Sequence, residues 1–246
     1  MGKQYDYSRY YLSVNKSNEE HLDNIIDYNI KLIKNVLPED KNAKILDVGC
    51  GRGYLLMTLK KLGYTNIQGV DVDKGQIVGC MSHDVPGEYV EDTVSFLRNH
   101  REEYNLIFLC DVLEHIEKDV AIVFMESIFD ALKEGGTLFC RVPNANNIIA
   151  TRYRYIDWTH HTSFTEHSLD FVLYNAGFSS IQIIDEPYQI SKTNPIKSTV
   201  FYGCKKIYRF FLRIVYSLEL GAEGRHIPLN LNIIGIARKC NKNNID

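Results

Sequence analysis

Two carboxylates and a run of glycines stand where they could hold a small ligand. Asp47 interrupts a short apolar stretch, and glycines follow it at positions 49, 51 and 53. Leucines at helical spacing come next, at positions 55, 56, 59 and 62. The pattern predicts a buried strand, a tight glycine loop and a helix. Glycine allows positive φ and a close approach of ligand to backbone, and a helix start presents free N–H groups.

The spacing of this loop and the acids around it indicate which ligand it holds. A dinucleotide site has the pattern G-x-G-x-x-G and binds a pyrophosphate, whereas this loop has the pattern G-x-G-x-G. Asp47 would repel a pyrophosphate but would suit a ligand that carries an ammonium group. Asp71, at the end of the next apolar stretch, could accept both hydroxyls of a ribose. An ammonium and a ribose together favour S-adenosylmethionine over NAD.

The elements that must position these groups alternate along the chain. We expect strands at residues 45–48, 66–71, 88–91, 104–110, 137–142, 180–184 and 231–237, with helices between them. Continuous apolar strands separated by helices predict an α/β fold with a doubly wound, mostly parallel sheet. In such sheets ligands bind beyond the carboxyl ends of the strands. Four acids stand at or just past predicted strand ends: Asp47, Asp71, Asp92 and Asp111.

Two details of this prediction concern the second half of the chain. The fifth long helix is expected to run over residues 118–133, with Gly135 and Gly136 ending it. Residues 144–165 are then expected to form one long loop, rich in polar, basic and aromatic side chains.

Length and composition are those of ordinary globular proteins. The chain has 246 residues, of which 45% are hydrophobic and 24% charged, and its formal net charge is −3. A charge so close to zero predicts no nucleic-acid partner. The six cysteines include no C-x-x-C pair, and the first residues lack the apolar run of a signal peptide. We therefore expect free thiols and a cytoplasmic location.

The sequence predicts four regions. Residues 1–43 are expected to form a helical cap or lid, with a cluster of tyrosines at positions 5, 7, 10 and 11, and residues 44–185 to form the cofactor-binding core. Residues 186–230 form an insertion, and its stretch 200–218 is rich in aromatic, apolar and basic residues. That stretch could pack on the core as a lid, form a homodimer interface, or contact a membrane, which we do not favour. Residues 231–246 supply a last strand and a polar tail.

Four blocks of the sequence resemble the class I S-adenosylmethionine-dependent methyltransferases. They are residues 45–53 (ILDVGCGRG), 69–73 (GVDVD), 104–116 (YNLIFLCDVLEHI) and 132–144 (LKEGGTLFCRVPN). The resemblance implies a Rossmann-like sheet of seven strands whose last strand is antiparallel. It also implies cofactor contacts: Gly49 and Gly51 with the methionine part, Asp47 with the ammonium, Asp71 with the ribose, Asp92 with the adenine and Thr93 beside it, and Cys110 and Asp111 with the sulfonium end. Val72 is a further expected cofactor-binding residue.

A narrower resemblance concerns the acceptor. Residues 157–165 (DWTHHTSFT), followed by AGF at 176–178, are similar to a stretch of bacterial methyltransferases in lipopolysaccharide, capsule and other surface-glycan pathways. This implies O-methylation of a small molecule, a sugar or nucleotide-linked sugar of surface polysaccharide biosynthesis. The DVLEHI block is shared with methyltransferases for small non-sugar acceptors, such as quinones or polyketides. That alternative stays open, as does a non-catalytic cofactor-binding partner.

Methyl transfer to a hydroxyl needs a group that removes its proton, and histidine is the usual base near neutral pH. His160, which follows the fifth strand, is the first candidate for this base, and His161 and His115 are the alternatives. Arg152 and Arg154 could grip a phosphate of the acceptor.

Two groups of side chains have the right types for a metal site. They are Asp157 with His160 and His161, and Asp111 with Glu114 and His115. Neither has a spacing such as H-E-x-x-H, and we therefore expect no metal.

Overall fold

A computed structural model describes residues 19–188 and 195–240. The tyrosine cluster expected to form a lid lies outside the described residues. The strands are β1 (Ile45–Val48), β2 (Ile67–Asp71), β3 (Gly87–Tyr89), β4 (Tyr104–Cys110), β5 (Leu132–Pro143), β6 (Ser180–Asp185) and β7 (Asn232–Arg238). The helices are α1 (Glu19–Ile33), α2 (Tyr54–Lys61), α3 (Lys74–Ser82), α4 (Thr93–Asn99), α5 (Lys118–Ala131), α6 (Ala150–Ile156), α7 (Glu166–Asn175) and α8 (Pro195–Leu220), with 3-10 turns at Leu113–His115 and Glu223–Arg225.

The strands form one seven-stranded sheet in the order β3-β2-β1-β4-β5-β7-β6. Strand β7 runs antiparallel to both of its neighbours, and the other pairings are parallel. This confirms the predicted α/β Rossmann-like fold with an antiparallel last strand. The strand order reverses between β1 and β4, and ligands bind at such a switch point in open α/β sheets.

Helices cover both faces of the sheet, and alternate residues of the strands contact opposite layers. In β4, Ile107 and Leu109 pack in the apolar cluster that also contains Phe124 of α5. Leu106 and Phe108 pack in the cluster on the other face, which includes α1 and α2 residues. Because both faces are covered, β4 is apolar almost throughout, as expected for a central parallel strand.

The predicted end of the long helix at Gly135 and Gly136 is wrong. Helix α5 ends at Ala131 and β5 begins at the next residue. Tyr104 pairs with Leu132, but Leu106 pairs with Thr137, so β5 carries extra residues at an irregularity in the ladder. Gly135 lies there with φ of 73°, and its N–H donates to the Lys239 carbonyl at 2.8 Å. The glycines therefore form a bulge inside a strand.

The predicted continuous loop over residues 144–165 is also wrong, because it contains α6. No residue of this short helix is buried. A helix without a buried face has no apolar periodicity, which is why the sequence pattern did not reveal it. In the part of the chain that the structure describes, no helix combines the length and the apolar character needed to cross a bilayer.

Candidate active site

The glycine loop after β1 requires glycine at each of its three positions. Gly49, Gly51 and Gly53 have φ of 73°, 51° and 79°. A Cβ on Gly49 would lie 2.3 Å from Cγ2 of Val112, and one on Gly53 would lie 2.6 Å from Sγ of Cys80. The nearest atom to a Cβ on Gly51 would instead be the Gln76 Oε1 at 3.7 Å, which is an ordinary van der Waals contact. The loop therefore leaves free volume beside the backbone of Gly51.

Two acids flank this loop in different environments. Asp71 accepts hydrogen bonds from the N–H groups of Gly51, at 2.9 Å, and Asp73, at 2.8 Å. Burial raises its pKa, and these bonds oppose that rise. Asp47 is 3% exposed, and burial, followed by the charge of Asp71, raises its pKa to about 8. A bound cation beside Asp47 would offset the cost of burying its charge.

A cavity of about 360 Å³ opens beside the glycine loop, between α1 and the carboxyl ends of β1, β4 and β5. This volume lies in the range of small-molecule sites. The cavity brings together five of the predicted cofactor residues: Asp47, Gly49, Gly51, Cys110 and Asp111. A larger hollow of about 770 Å³ lies at the opposite end of the strands and contains none of the predicted site residues.

The other predicted cofactor residues lie outside this cavity. Asp71 and Val72 lie at the end of β2, and Val72 is exposed. Asp92 caps α4, since its carboxylate accepts from the Val94 N–H at 3.0 Å and the Ser95 hydroxyl at 2.5 Å. The Ser95 bond lowers the pKa of Asp92. Thr93 is the first residue of that helix. The structure gives Asp92 a capping role, and its adenine role stays a prediction.

Sequence reasoning missed a partly buried ion-pair cluster on the wall of this cavity. The Arg141 guanidinium, on β5, pairs with the carboxylates of Asp111 and Glu186, the latter at 3.3 Å. It also donates to the Tyr28 hydroxyl at 3.0 Å, and Tyr28 donates to Glu186. Asp111 has a left-handed φ of 57°, which Asp tolerates better than most residues. One feature of the sequence could have indicated this cluster, namely the single charged residue, Arg141, within the apolar stretch LFCRVP. A charge in a buried strand needs partners of opposite charge.

Two predicted bases, His115 and His160, are neighbours with ring centroids 4.6 Å apart. The His160 Nδ1 lies 2.8 Å from the Tyr153 carbonyl oxygen, which can only accept, so Nδ1 carries the proton. The His115 Nδ1 lies 2.8 Å from the Thr159 hydroxyl, which donates to the Asp157 carboxylate at 2.7 Å. Each neutral ring therefore keeps a lone pair on Nε2.

The electrostatics of His115 differ from those of a free imidazole. Burial, followed by the charge of His160, lowers the pKa of His115 to about 4, so His115 is neutral at physiological pH and a weak base. Glu114 beside it is buried, and its Oε2 has no hydrogen-bond partner among the described residues. Burial, followed by the charge of Asp111, raises the pKa of Glu114. The charge of Asp111, on the cavity wall, also acts on His115 and partly opposes the fall of its pKa.

The same residues form a group that could hold a metal ion. The ligand atoms of Glu114, His115 and His160 all lie within 4.8 Å of one another. This set combines members of the two sets considered from sequence, because the segment after β5 folds back onto the turn after β4. The expectation of no metal stays a prediction.

The remaining candidates lie at the edge of the site. His161 is exposed, and its backbone N–H donates to the Glu114 carbonyl at 2.7 Å. The Asp157 carboxylate binds Thr159, not a histidine. Arg152 is exposed, and the Arg154 guanidinium lies over the Tyr155 ring at 5.2 Å. Neither arginine is among the residues that line the cavity beside the glycine loop.

Comparison with known proteins places this geometry in context. A family profile described as a methyltransferase domain matches residues 20–183. A ubiquinone biosynthesis O-methyltransferase of Hydrogenovibrio crunogenus is 30% identical over 111 residues, which are 43% of this chain and 45% of the relative. The enzyme of the same name from Proteus mirabilis is 32% identical over 111 residues, 42% of this chain and 43% of the relative. The match thus spans a little under half the length of these curated relatives.

Solved structures share the fold. A SAM-dependent methyltransferase from Archaeoglobus fulgidus superposes with a TM-score of 0.64 at 18% identity, over 95% of this chain and 100% of that one. Phosphoethanolamine N-methyltransferase 2 of Haemonchus contortus, in complex with S-adenosyl-L-methionine, gives a TM-score of 0.58 at 13% identity, over 95% of this chain and 60% of that one.

Proposed function

We propose, from the premise that this chain belongs to the methyltransferase-domain family and is an S-adenosylmethionine-dependent methyltransferase, that it methylates an oxygen of a small non-sugar acceptor of quinone or polyketide type. The relatives named ubiquinone biosynthesis O-methyltransferase support this acceptor class over the sugar favoured by the narrower sequence resemblance. The O-methyltransferase reaction and the acceptor are both parts of the proposal.

One observation carries the chemical part of the proposal, namely the paired imidazoles after β4 and β5. The partners of His160 leave a lone pair on Nε2, so this atom accepts the proton of an acceptor hydroxyl. His115 is less suitable because its pKa is about 4. The bound cofactor supplies an activated methyl group, so positioning and removal of one proton are the tasks left to the protein.

The cofactor roles of the other residues are part of the same proposal. Asp47 lies near the ammonium group, Gly49 and Gly51 near the methionine part, and Cys110 and Asp111 near the sulfonium end. Asp71 and Val72 hold the ribose, and Asp92 and Thr93 contact the adenine. The cavity beside Gly51 and the buried Asp47 support this assignment. Helix α1, which lines that cavity with Ile25 and Tyr28, supports a cap role for residues 1–43.

A sugar or nucleotide-linked sugar is the second candidate acceptor. The observation that favours it is the DWTHHTSFT stretch at residues 157–165, which contributes His160 to the histidine pair. Arg152 is exposed near this stretch and could meet a phosphate. A cytoplasmic location also belongs to the proposal, supported by six free thiols.

An acceptor screen tests the proposal. Purified protein is incubated with S-adenosylmethionine and either hydroquinones and catechols or nucleotide sugars, and S-adenosylhomocysteine is measured. Turnover with phenolic acceptors alone supports the proposal, and turnover with nucleotide sugars alone supports the second candidate. Cofactor binding without turnover in either panel would contradict both and favour a non-catalytic partner.

A further inference from the structure

Helix α8 exposes an apolar face along its whole length. Six side chains spaced at three, four or seven residues lie on one side of it and are between 44% and 80% exposed: Ile196, Val200, Ile207, Phe211, Ile214 and Leu218. At 1.5 Å per residue the helix is about 39 Å long. Surface helices normally expose their polar face and bury their apolar one, so the amphipathicity of α8 is inverted.

Polar contacts hold the helix in this orientation. The Arg213 guanidinium donates to the carbonyls of Arg225, at 2.7 Å, and Ile227, at 2.9 Å. The Tyr216 hydroxyl donates to the Asn146 carbonyl at 2.6 Å. Lys205 lies over the Tyr188 ring at 5.1 Å. These three side chains therefore face the protein body, and the apolar side is directed outward.

The charges of α8 differ from those of the whole chain. The helix carries five basic residues and one acid, Glu219, although the chain has a formal net charge of −3. Two exposed lysines, Lys197 and Lys206, lie at the two margins of the outward apolar face. An exposed apolar face bordered by lysines matches the interface of an anionic lipid bilayer.

The width of the apolar face distinguishes a bilayer from a second copy of the chain. Phe210 and Val215 lie on either side of the central row, about 140° apart around the axis at 100° per residue, and are 64% and 54% exposed. Contact with one partner helix covers a narrower seam. A lipid surface covers the full arc.

A second group of exposed apolar side chains lies in the segment after β5. Tyr216 contacts Asn146, and Ile148, two residues further along, is 62% exposed. The segment then leads to Tyr155 and Trp158, which are 74% and 88% exposed. Tyr and Trp are enriched where proteins meet the lipid headgroup region.

We propose that the outward face of α8 lies flat on an anionic phospholipid bilayer, with Lys197 and Lys206 at the headgroups and Phe211 and Ile214 among the acyl chains. The observations that carry this proposal are the fixed outward orientation of the apolar arc and the lysines at its margins. Docking goes beyond the proposed reaction and does not depend on which acceptor is methylated.

Flotation of the full chain with vesicles tests the docking. Vesicles of phosphatidylcholine with phosphatidylglycerol are compared with vesicles of phosphatidylcholine alone. We expect binding to the anionic vesicles, and loss of at least about tenfold in partitioning for the double variant Phe211→Gln, Ile214→Gln. The matched control is Val78→Gln, Met81→Gln, because these α3 side chains are 68% and 65% exposed. Lys206→Glu should weaken binding to anionic vesicles selectively.

A local probe reports the orientation on the vesicle. Cys204 is the one exposed cysteine of the six and lies on the outward side of α8. A polarity-sensitive dye on Cys204 should shift to the blue on anionic vesicles and not on neutral ones.

Three results would overturn the proposal. They are absence of vesicle binding by the folded wild type, equal loss in the α3 control, and conversion of a wild-type dimer to monomers by the α8 double variant without vesicle binding. The last result would assign the face to a second copy of the chain. None of these readouts requires turnover, so failure of the docking proposal and failure of the proposed reaction are distinguishable.

Discussion

The two halves of the candidate site, at the carboxyl edge of the sheet, are built by different means. At β1 and β2 the site consists of backbone and short acidic side chains within residues 45–73, where three glycines at alternate positions determine the geometry. At β4 and β5 the site consists of long side chains from distant segments, such as His115 with His160 and Arg141 with Glu186. The first half therefore depends on local conformation, and the second depends on how long connections fold back.

Because the two halves are built differently, we expect them to contribute to different steps of the reaction. Changes in the histidine cluster should alter turnover, whereas changes at the glycine loop should alter cofactor affinity. The predictions below test that separation in order of decreasing effect.

The largest expected effect is on turnover. His160→Ala should lower kcat about a thousandfold, because the acceptor hydroxyl loses its base, while the Kd for S-adenosylmethionine stays unchanged. Steady-state kinetics and calorimetric titration measure the two quantities. His161→Ala is the control, since the exposed His161 should be dispensable. Equal kcat in both variants would remove His160 from the mechanism.

The next effect is on stability, at the junction between the halves. Arg141→Met leaves Asp111 and Glu186 without their cation in a partly buried cluster. Breaking such a pair from one side should lower the free energy of unfolding by about 3 kcal/mol, as measured by urea denaturation. Arg101→Met is the matched control, because the Arg101–Asp130 pair has an Arg side chain that is 63% exposed. A similar loss in both variants would contradict a structural role of the Arg141 cluster.

The buried Asp47 predicts a pH dependence of the ligand-free protein. Its pKa is about 8 when folded and near its ordinary value of 3.8 when unfolded. Between these values the folded chain holds a proton that the unfolded chain has released, so stability falls as pH rises. The fall between pH 5 and pH 7 should be about 2 to 3 kcal/mol.

Asp47→Asn should flatten this part of the pH profile in thermal unfolding and should also weaken cofactor binding. The exposed Asp40→Asn variant should keep the wild-type slope. If the stability of the wild type does not fall over this interval, the Asp47 carboxyl is already ionised in the ligand-free protein. The proposal that Asp47 lies near the ammonium group of the cofactor then loses its support.

A smaller effect should appear in cofactor affinity alone. Gly51→Ala places a methyl group in the cavity and should weaken S-adenosylmethionine binding about thirtyfold, with little change in kcat at saturation. Gly63→Ala is the control: its φ is also positive, at 85°, and a Cβ there meets nothing within 4 Å. Both variants incur the same type of backbone strain, so an equal loss of affinity would show that strain, not the cavity, is responsible.

Chelation should have the smallest effect. If no metal takes part, activity after dialysis against EDTA should equal that of untreated enzyme. Loss of activity that Mg²⁺ or Zn²⁺ restores would contradict the expectation of no metal. Glu114→Gln would then test whether the metal binds at Glu114, His115 and His160, whose ligand atoms lie close together.

The contrast between the halves also explains what the sequence could predict. The glycine loop, the strands and the acids at strand ends follow from local patterns, since a positive φ or a continuous apolar run leaves a direct trace in residue types. The pairing of His115 with His160 does not, because it depends on how residues 144–165 fold back. Helix α6 has no buried face, so its sequence shows no apolar periodicity. Arg141 could be identified from the sequence only as an isolated charge, without its partners. The outward direction of the apolar face of α8 could not be predicted from the sequence either. Periodicity identifies an apolar face but does not show whether the protein body covers it.

The position of β7 has a consequence for biosynthesis. In the described sheet β6 is hydrogen-bonded only to β7, which lies between β5 and β6. Residues 186–231 must be translated after β6 before β7 emerges, which takes about 2 to 9 seconds at ordinary elongation rates. During that interval the nascent chain carries the edge of β5 and an unattached β6, together with the apolar face of α8. This is the stage at which a chaperone would have most exposed surface to bind.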